Sequence, residues 1–127
     1  MTFAFDPREG LILVEARVWG PSGYYALRLG LDTGATETVI SIDKLAFLGY
    51  GISFTDERTR LITGSSAAFA SHTILQKILA LGQKRSNFPV LAYTLPAEIG
   101  VDGMLGLDFL RGLTLTADFR NGELSLV

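Results

Sequence analysis

Leu29-Gly30-Leu31-Asp32-Thr33-Gly34-Ala35 is the stretch on which the reading of this chain turns. Aspartate and glycine are both turn residues, so Asp-Thr-Gly would ordinarily pass for a solvated turn. At average residue usage the triplet occurs about 2 to 3 times in a hundred chains of this length. Its flanks raise its standing. Tyr25 to Leu31 before it and Thr38 to Ile42 after it are apolar strand patterns, so Asp32 falls on a tight loop emerging from a core, where a reactive group has rigid support.

Working outward, apolar residues recur with a period near two and turn signals arrive about every ten residues, which indicates a mainly β barrel or sandwich of short strands. Leu11 to Trp19 alternates, turns at Gly20-Pro21-Ser22-Gly23 and returns as Tyr24 to Leu31, delivering the chain to Asp32. After the strand Thr38 to Ile42, Ser41 or Asp43 can cap a brief helix to about Leu48, stopped by Gly49 or Gly51. Glu57 to Leu81 reads as two strands joined across Thr63-Gly64-Ser65-Ser66, a small polar tip. Gly82-Gln83-Lys84-Arg85-Ser86-Asn87 reads as a basic turn before a buried strand, Phe88 to Tyr93. Met104 to Arg111 reads as a strand end and one or two helical turns. Leu113 to Phe119 and Glu123 to Val127 form a closing hairpin around Asn121-Gly122, a strong two-residue turn signal. No linker or composition shift divides the chain, so residues 1–127 are expected to form one domain.

Composition narrows the function classes. The 127 residues carry 11 basic and 13 acidic side chains, a net charge of −2, with no like-charge run longer than a pair such as Lys84-Arg85. That argues against a nucleic-acid surface or an electrostatic membrane anchor. There is no cysteine, which excludes disulfides and thiolate metal sites. The first residues, Met1 to Glu9, are broken by charge and proline before an apolar stretch of signal-peptide length develops, and no window approaches the roughly 20 apolar residues of a membrane helix. A cytoplasmic location is the expectation.

Several separated features now fall in one order: a strand hairpin into Asp32-Thr33-Gly34-Ala35, a helix-and-glycine segment, a glycine-tipped hairpin, and Met104-Leu105-Gly106 before a short helix near Asp108. This order, from about Leu11 to Val127, resembles the retropepsin-like aspartic proteases. Leu105 to Leu110, Leu-Gly-Leu-Asp-Phe-Leu, looks especially like the cellular and bacterial single-domain members. The resemblance implies an all-β, closed acid-protease barrel with one or two short helices and a flap hairpin, and a homodimeric aspartic endopeptidase that needs no cofactor and no metal. It implies that Asp32 is the catalytic carboxylate, paired with its copy in a second chain. Thr33 would hydrogen-bond across to the other loop, and Gly34 would let backbone approach backbone beneath the pair. A peptide or protein substrate would lie against Ala35, Ile62, Ala67 and Leu107, which make the subsites apolar, under a flap that includes Thr63, Gly64 and Ser65.

Counting supports the dimer. Pepsin-like enzymes hold both catalytic loops in one chain of more than twice this length, whereas this sequence has one Asp-Thr-Gly and no second Asp-Thr/Ser-Gly. The chain departs from the retroviral pattern too: Leu107 stands where those enzymes place arginine, and Thr36 where they place aspartate. Leu29 to Asp32 and Leu105 to Asp108 both read Leu-Gly-Leu-Asp, yet the family's pseudo-symmetry pairs Gly34 with Gly106. Asp108 is therefore read as structural, capping the short helix or accepting backbone hydrogen bonds. His72 lacks a second histidine or a cysteine for a metal site and is read as structural or solvent-facing. Ser65-Ser66 lacks the Gly-x-Ser-x-Gly context of a serine hydrolase. The alternative function is a non-catalytic module of the same fold that dimerises and holds peptides.

Overall fold

The computed structural model describes residues 1–51, 58–63 and 66–127, with 58–63 and 66–70 as backbone. Strand β1 is Phe3–Ala4. In β2 (Leu13–Gly20) the alternation is realised directly: Val14, Ala16 and Val18 are buried while Glu15 and Arg17 are exposed. Strand β3 (Gly23–Leu31) returns in register from Gly20↔Gly23 to Leu13↔Gly30, so Pro21 and Ser22 alone make the turn. Strand β4 (Val39–Ser41) runs into helix α1 (Ile42–Phe47), and the capping side chain is that of Ser41, whose Oγ accepts from Lys44 N. Gly49 follows the helix at φ 93° and lies flat on the first turn: a Cβ there would come 2.4 Å from Ser22 Oγ.

Strands β5 (Arg58–Thr63), β6 (Ser66–Ala80) and β7 (Gln83–Tyr93) follow, and here the sequence reading needs correction. The basic segment after Gly82 is not a turn. It is the first half of β7, and the turn is the two residues Leu81-Gly82, both at positive φ (50° and 75°), as the tight right-twisting hairpin requires. Leucine is a poor residue for that conformation, which hides the signal; burial of the Leu81 side chain, 4% exposed, offsets the cost.

After a 3-10 turn at Ala97–Ile99 come β8 (Gly103–Leu105), the single-turn helix α2 (Leu107–Leu110), β9 (Leu115–Asp118) and β10 (Glu123–Leu126). The closing hairpin is present, but its loop holds four residues, Phe119 to Gly122, instead of two. Asp118 makes the difference: its carboxylate accepts from Arg120 N, Asn121 N and Asn121 Nδ2 at 2.8–3.0 Å, and its carbonyl accepts from Gly122 N. The amino terminus also does more than its proline and charges suggest, because β1 pairs with β10 (Phe3↔Leu124).

Six strands close a barrel in the order β2-β3-β8-β4-β7-β6, with β6 returning to β2, while β5 extends outward from β6. Strands β1, β10 and β9 form a separate three-stranded sheet. One core joins the two: Val18, Leu29, Ile40, Leu75, Val90 and Phe109 from the barrel and α2 belong to the same buried cluster as Leu124 and Leu126. Where the β2–β6 seam ends at Trp19↔Lys77, the Tyr50 hydroxyl bridges it, donating to Trp19 O and accepting from Gln76 N. No helix among the described residues is long and apolar enough to cross a membrane.

Candidate active site

The placement of β8 decides the site. It enters between β3 and β4, parallel to the first (Leu31↔Leu105) and antiparallel to the second (Val39↔Met104), and so divides the strand that leads to Asp32 from the strand that leaves it. Such a threading needs close backbone contact. Gly103 supplies it, since a Cβ there would lie 2.1 Å from Val39 O. Asp32 follows directly on β3, and its N–H donates to Leu105 O at 2.9 Å.

From that anchor the chain makes a small turn. Ala35 N donates to Asp32 O (3.2 Å), and Gly34 N donates to Asp32 Oδ1 (2.9 Å). Among the described residues Oδ2 has no hydrogen-bond partner, so the half-buried carboxylate is oriented through one oxygen and left open at the other. Thr33 and Gly34 are exposed at the tip of the turn. A Cβ on Gly34 would meet only Asp32 Oδ1, at 3.3 Å.

The turn stands on α2. Leu107 N donates to Ala35 O (2.8 Å) and Asp108 N to Thr36 O (3.2 Å). Gly106 lies against the backbone of Glu37 and Ala35, with 2.7–2.9 Å available to a Cβ. The Asp108 carboxylate accepts from Thr38 N, Thr38 Oγ1 (2.7 Å) and Phe109 N (2.8 Å), which makes its role the structural one read from the sequence. Thr38 is completely buried, and its hydroxyl also accepts from Gly106 N (3.0 Å). This threonine was missed; a β-branched residue opening a strand gives no local sign that its hydroxyl joins two loops.

The other expected site residues are distributed as follows. Thr33 and Leu107 share a groove of about 470 Å³ with Leu110, Arg111, Leu113 and Leu115, beside the first strand of the closing hairpin. Ile62, Thr63 and Ala67 lie in the backbone ladder of β5 and β6, where Ile62 pairs with Ala67 and Thr63 with Ser66. Gly64 and Ser65 lie outside the described residues. His72 Nε2 is 3.0 Å from Oε1 of Glu37, a residue of the Asp32 loop that the sequence reading did not single out. No group of three or more metal-ligating side chains occurs among the described residues.

A structure of a retropepsin-like aspartic protease from Rickettsia conorii superimposes with a TM-score of 0.72 over 100% of this chain and 92% of that chain, at 16% identity. The EIAV protease in complex with the inhibitor HBY-793 superimposes with a TM-score of 0.62 over 82% and 88%, at 20% identity. Both likenesses establish the fold. Comparison with curated protein sequences returned no match. The family model described as aspartyl protease matches residues 14–109, a span that contains the Asp32 turn, the inserted β8 and all but the last residue of α2, and the chain belongs to that aspartyl protease family, with a retropepsin-like fold.

Proposed function

We propose that the protein is an aspartic endopeptidase active as a homodimer, with Asp32 of each chain forming the catalytic pair. The observation that carries this reading is the Asp32 carboxylate itself: on a turn braced by β8 and α2, it has one oxygen engaged and, among the described residues, one free. Two such carboxylates about 3 Å apart cannot both ionise and share one proton. The ionised partner removes a proton from a bound water as that water attacks the scissile carbonyl, and the protonated partner donates to the carbonyl oxygen. Thr33, exposed in the single chain, lies where a second loop would meet it. Residues 1–127 act as one domain in this reading, the β5–β6 hairpin serves as the flap, and Ala35 and Leu107 contribute to apolar subsites with Ile62 and Ala67.

The geometry suggests which edge joins the two copies. Leu124 and Leu126 are core residues of the central strand β10, the two-residue β1 covers one side of it, and among the described residues the four-residue β9 leaves the longer outer edge unpaired. Thr114 and Val127 exchange both backbone hydrogen bonds, which directs the N–H groups of Leu115 and Ala117 away from β10 toward that edge. Antiparallel pairing of β9 with its copy would give an isologous interface adjoining the Thr33 groove.

The test is a peptide-library digest analysed by mass spectrometry, with Asp32→Asn as the matched control. Cleavage by the wild type, lost in a folded Asp32→Asn variant, supports the reading; undiminished cleavage by that variant refutes it. Saturable peptide binding with no products would indicate the non-catalytic module instead. Specific activity should fall on dilution, and Ala117→Pro, which removes an outward N–H, should give a folded, inactive monomer.

A further inference from the structure

Besides its short seam with β2, the β6 strand serves two ladders in succession. It pairs with β7 from Ala80↔Gln83 to Ser71↔Ala92, and with β5 from Arg58↔Ser71 to Thr63↔Ser66. Ser71 is the residue at which one ladder hands over to the other, so the β5–β6 hairpin leaves the barrel there. Its hydroxyl is buried without a hydrogen-bond partner among the described residues and does nothing to lock that point. His72 is the next residue on the barrel side.

Sideways from His72 the sheet runs through Leu91 of β7 to Val39 of β4, and Glu37 stands two residues before Val39, in the loop that begins at Asp32. The backbone on either side of Glu37 is held from α2: Thr36 O accepts from Asp108 N, Thr38 N donates to the Asp108 carboxylate, and Gly106 packs against the Glu37 carbonyl. Its side chain reaches the other way, to His72 Nε2 at 3.0 Å. An ionised carboxylate only accepts hydrogen bonds, so the Nε2 nitrogen carries the proton in this contact. The two side chains are 40% and 32% exposed, so the bond lies at the rim of the barrel and not in its core.

From this placement we infer that Glu37 and His72 form a positioning pair that couples the Asp32 loop to the point where the β5–β6 hairpin leaves the barrel. Neither residue touches the reacting atoms. The bond fixes the base of the hairpin relative to the catalytic turn, and its kinetic consequence, though not its structural one, rests on the proteolytic reading above. A peptide held between turn and hairpin would lose binding when the pair is broken, while the proton transfers at Asp32 would not change.

Hydrogen–deuterium exchange tests the structural part without any activity. In His72→Leu, amides of Ser66–Ser71 should exchange about tenfold faster, the size expected for loss of a hydrogen bond to a charged group, while β2 and β3 keep wild-type protection. Glu37→Gln combined with His72→Leu should add nothing to His72→Leu alone, and His72→Gln, which keeps an N–H donor, should restore protection. Unchanged exchange at Ser66–Ser71, or acceleration spread equally through the barrel, would overturn the inference. On a cleaved peptide, His72→Leu should raise KM about tenfold with kcat within about twofold. A fall in kcat at unchanged KM would overturn the positioning role. If the wild type cleaves nothing, the protease reading fails, and the exchange measurement still decides whether the pair couples loop and hairpin.

Discussion

Leu29-Gly30-Leu31-Asp32 and Leu105-Gly106-Leu107-Asp108 are the same four residues in the same order, and the fold treats their aspartates in opposite ways. Asp32 follows directly on β3 and keeps one carboxylate oxygen without a partner among the described residues. Asp108 lies in the first turn of α2 and is filled by Thr38 N, Thr38 Oγ1 and Phe109 N. The difference arises from where each Leu-Gly lies. Gly30 and Leu31 are still inside a strand, whereas Gly106 has left β8 and presses on the backbone of Glu37, which turns the following residues toward Thr38. A carboxylate surrounded by donors holds loops together, and one with a free oxygen is available for chemistry; the tetrapeptide alone distinguishes neither.

Exchanging the two roles by mutation tests this contrast. Asp32→Asn has the largest expected effect: cleavage should fall by about 10²–10⁴-fold or more, because general acid–base transfer is removed. Its denaturation midpoint should stay near wild type, since an amide oxygen still accepts from Gly34 N. Asp108→Ala should invert the pattern, lowering the unfolding free energy in urea titration by about 3 kcal/mol as Thr38 N and Phe109 N lose an ionised acceptor. If Asp108→Ala is as stable as wild type, the clamp adds nothing to the fold and the contrast collapses.

The paired glycines sharpen the comparison further. Gly106→Ala places a methyl group against Glu37 and Ala35 backbone atoms that cannot yield, and should cost about 1–3 kcal/mol by thermal or urea unfolding. In Gly34→Ala the new Cβ meets Asp32 Oδ1 alone, so stability should hold while activity drops about tenfold through a displaced carboxylate. Loss of stability in both variants, with no selective loss of activity in Gly34→Ala, would place the two turns in the same structural class.

Asp118 supplies the smallest effect and a control away from the Asp32 and Asp108 turns. Its pKa lies below the ordinary carboxylate value, first because Asn121 N donates to it, then because of the Asn121 side chain and Arg120 N. A group whose folded pKa is depressed contributes stability above its unfolded value and loses that contribution as pH falls through the folded one. Asp118→Ala should therefore be slightly less stable than wild type at neutral pH, and the gap should close in acid, as read from urea midpoints across pH. A gap that widens in acid would contradict this assignment.

Much of this molecule can be read from local pattern. The period-two runs of Leu13–Gly20 and Gly23–Leu31, the short cap-and-glycine helix after Ser41 and the flanked Asp-Thr-Gly follow from side-chain alternation and turn chemistry within a few residues. Counting triplets adds the argument for a second copy. The sequence by itself thus determined an all-β chain with Asp32 on a supported loop. The tertiary structure alone decided that β8 divides β3 from β4, that Thr38 grips Asp108 across 70 residues of sequence, that Glu37 meets His72 and that β1 joins β10. These contacts join residues whose neighbours in sequence carry no trace of the partner, and they form because the closing barrel brings their backbones within hydrogen-bond reach. The Leu81-Gly82 turn belongs to the same class: a leucine at positive φ is a local contradiction, and the buried pocket that receives its side chain exists only in the folded barrel.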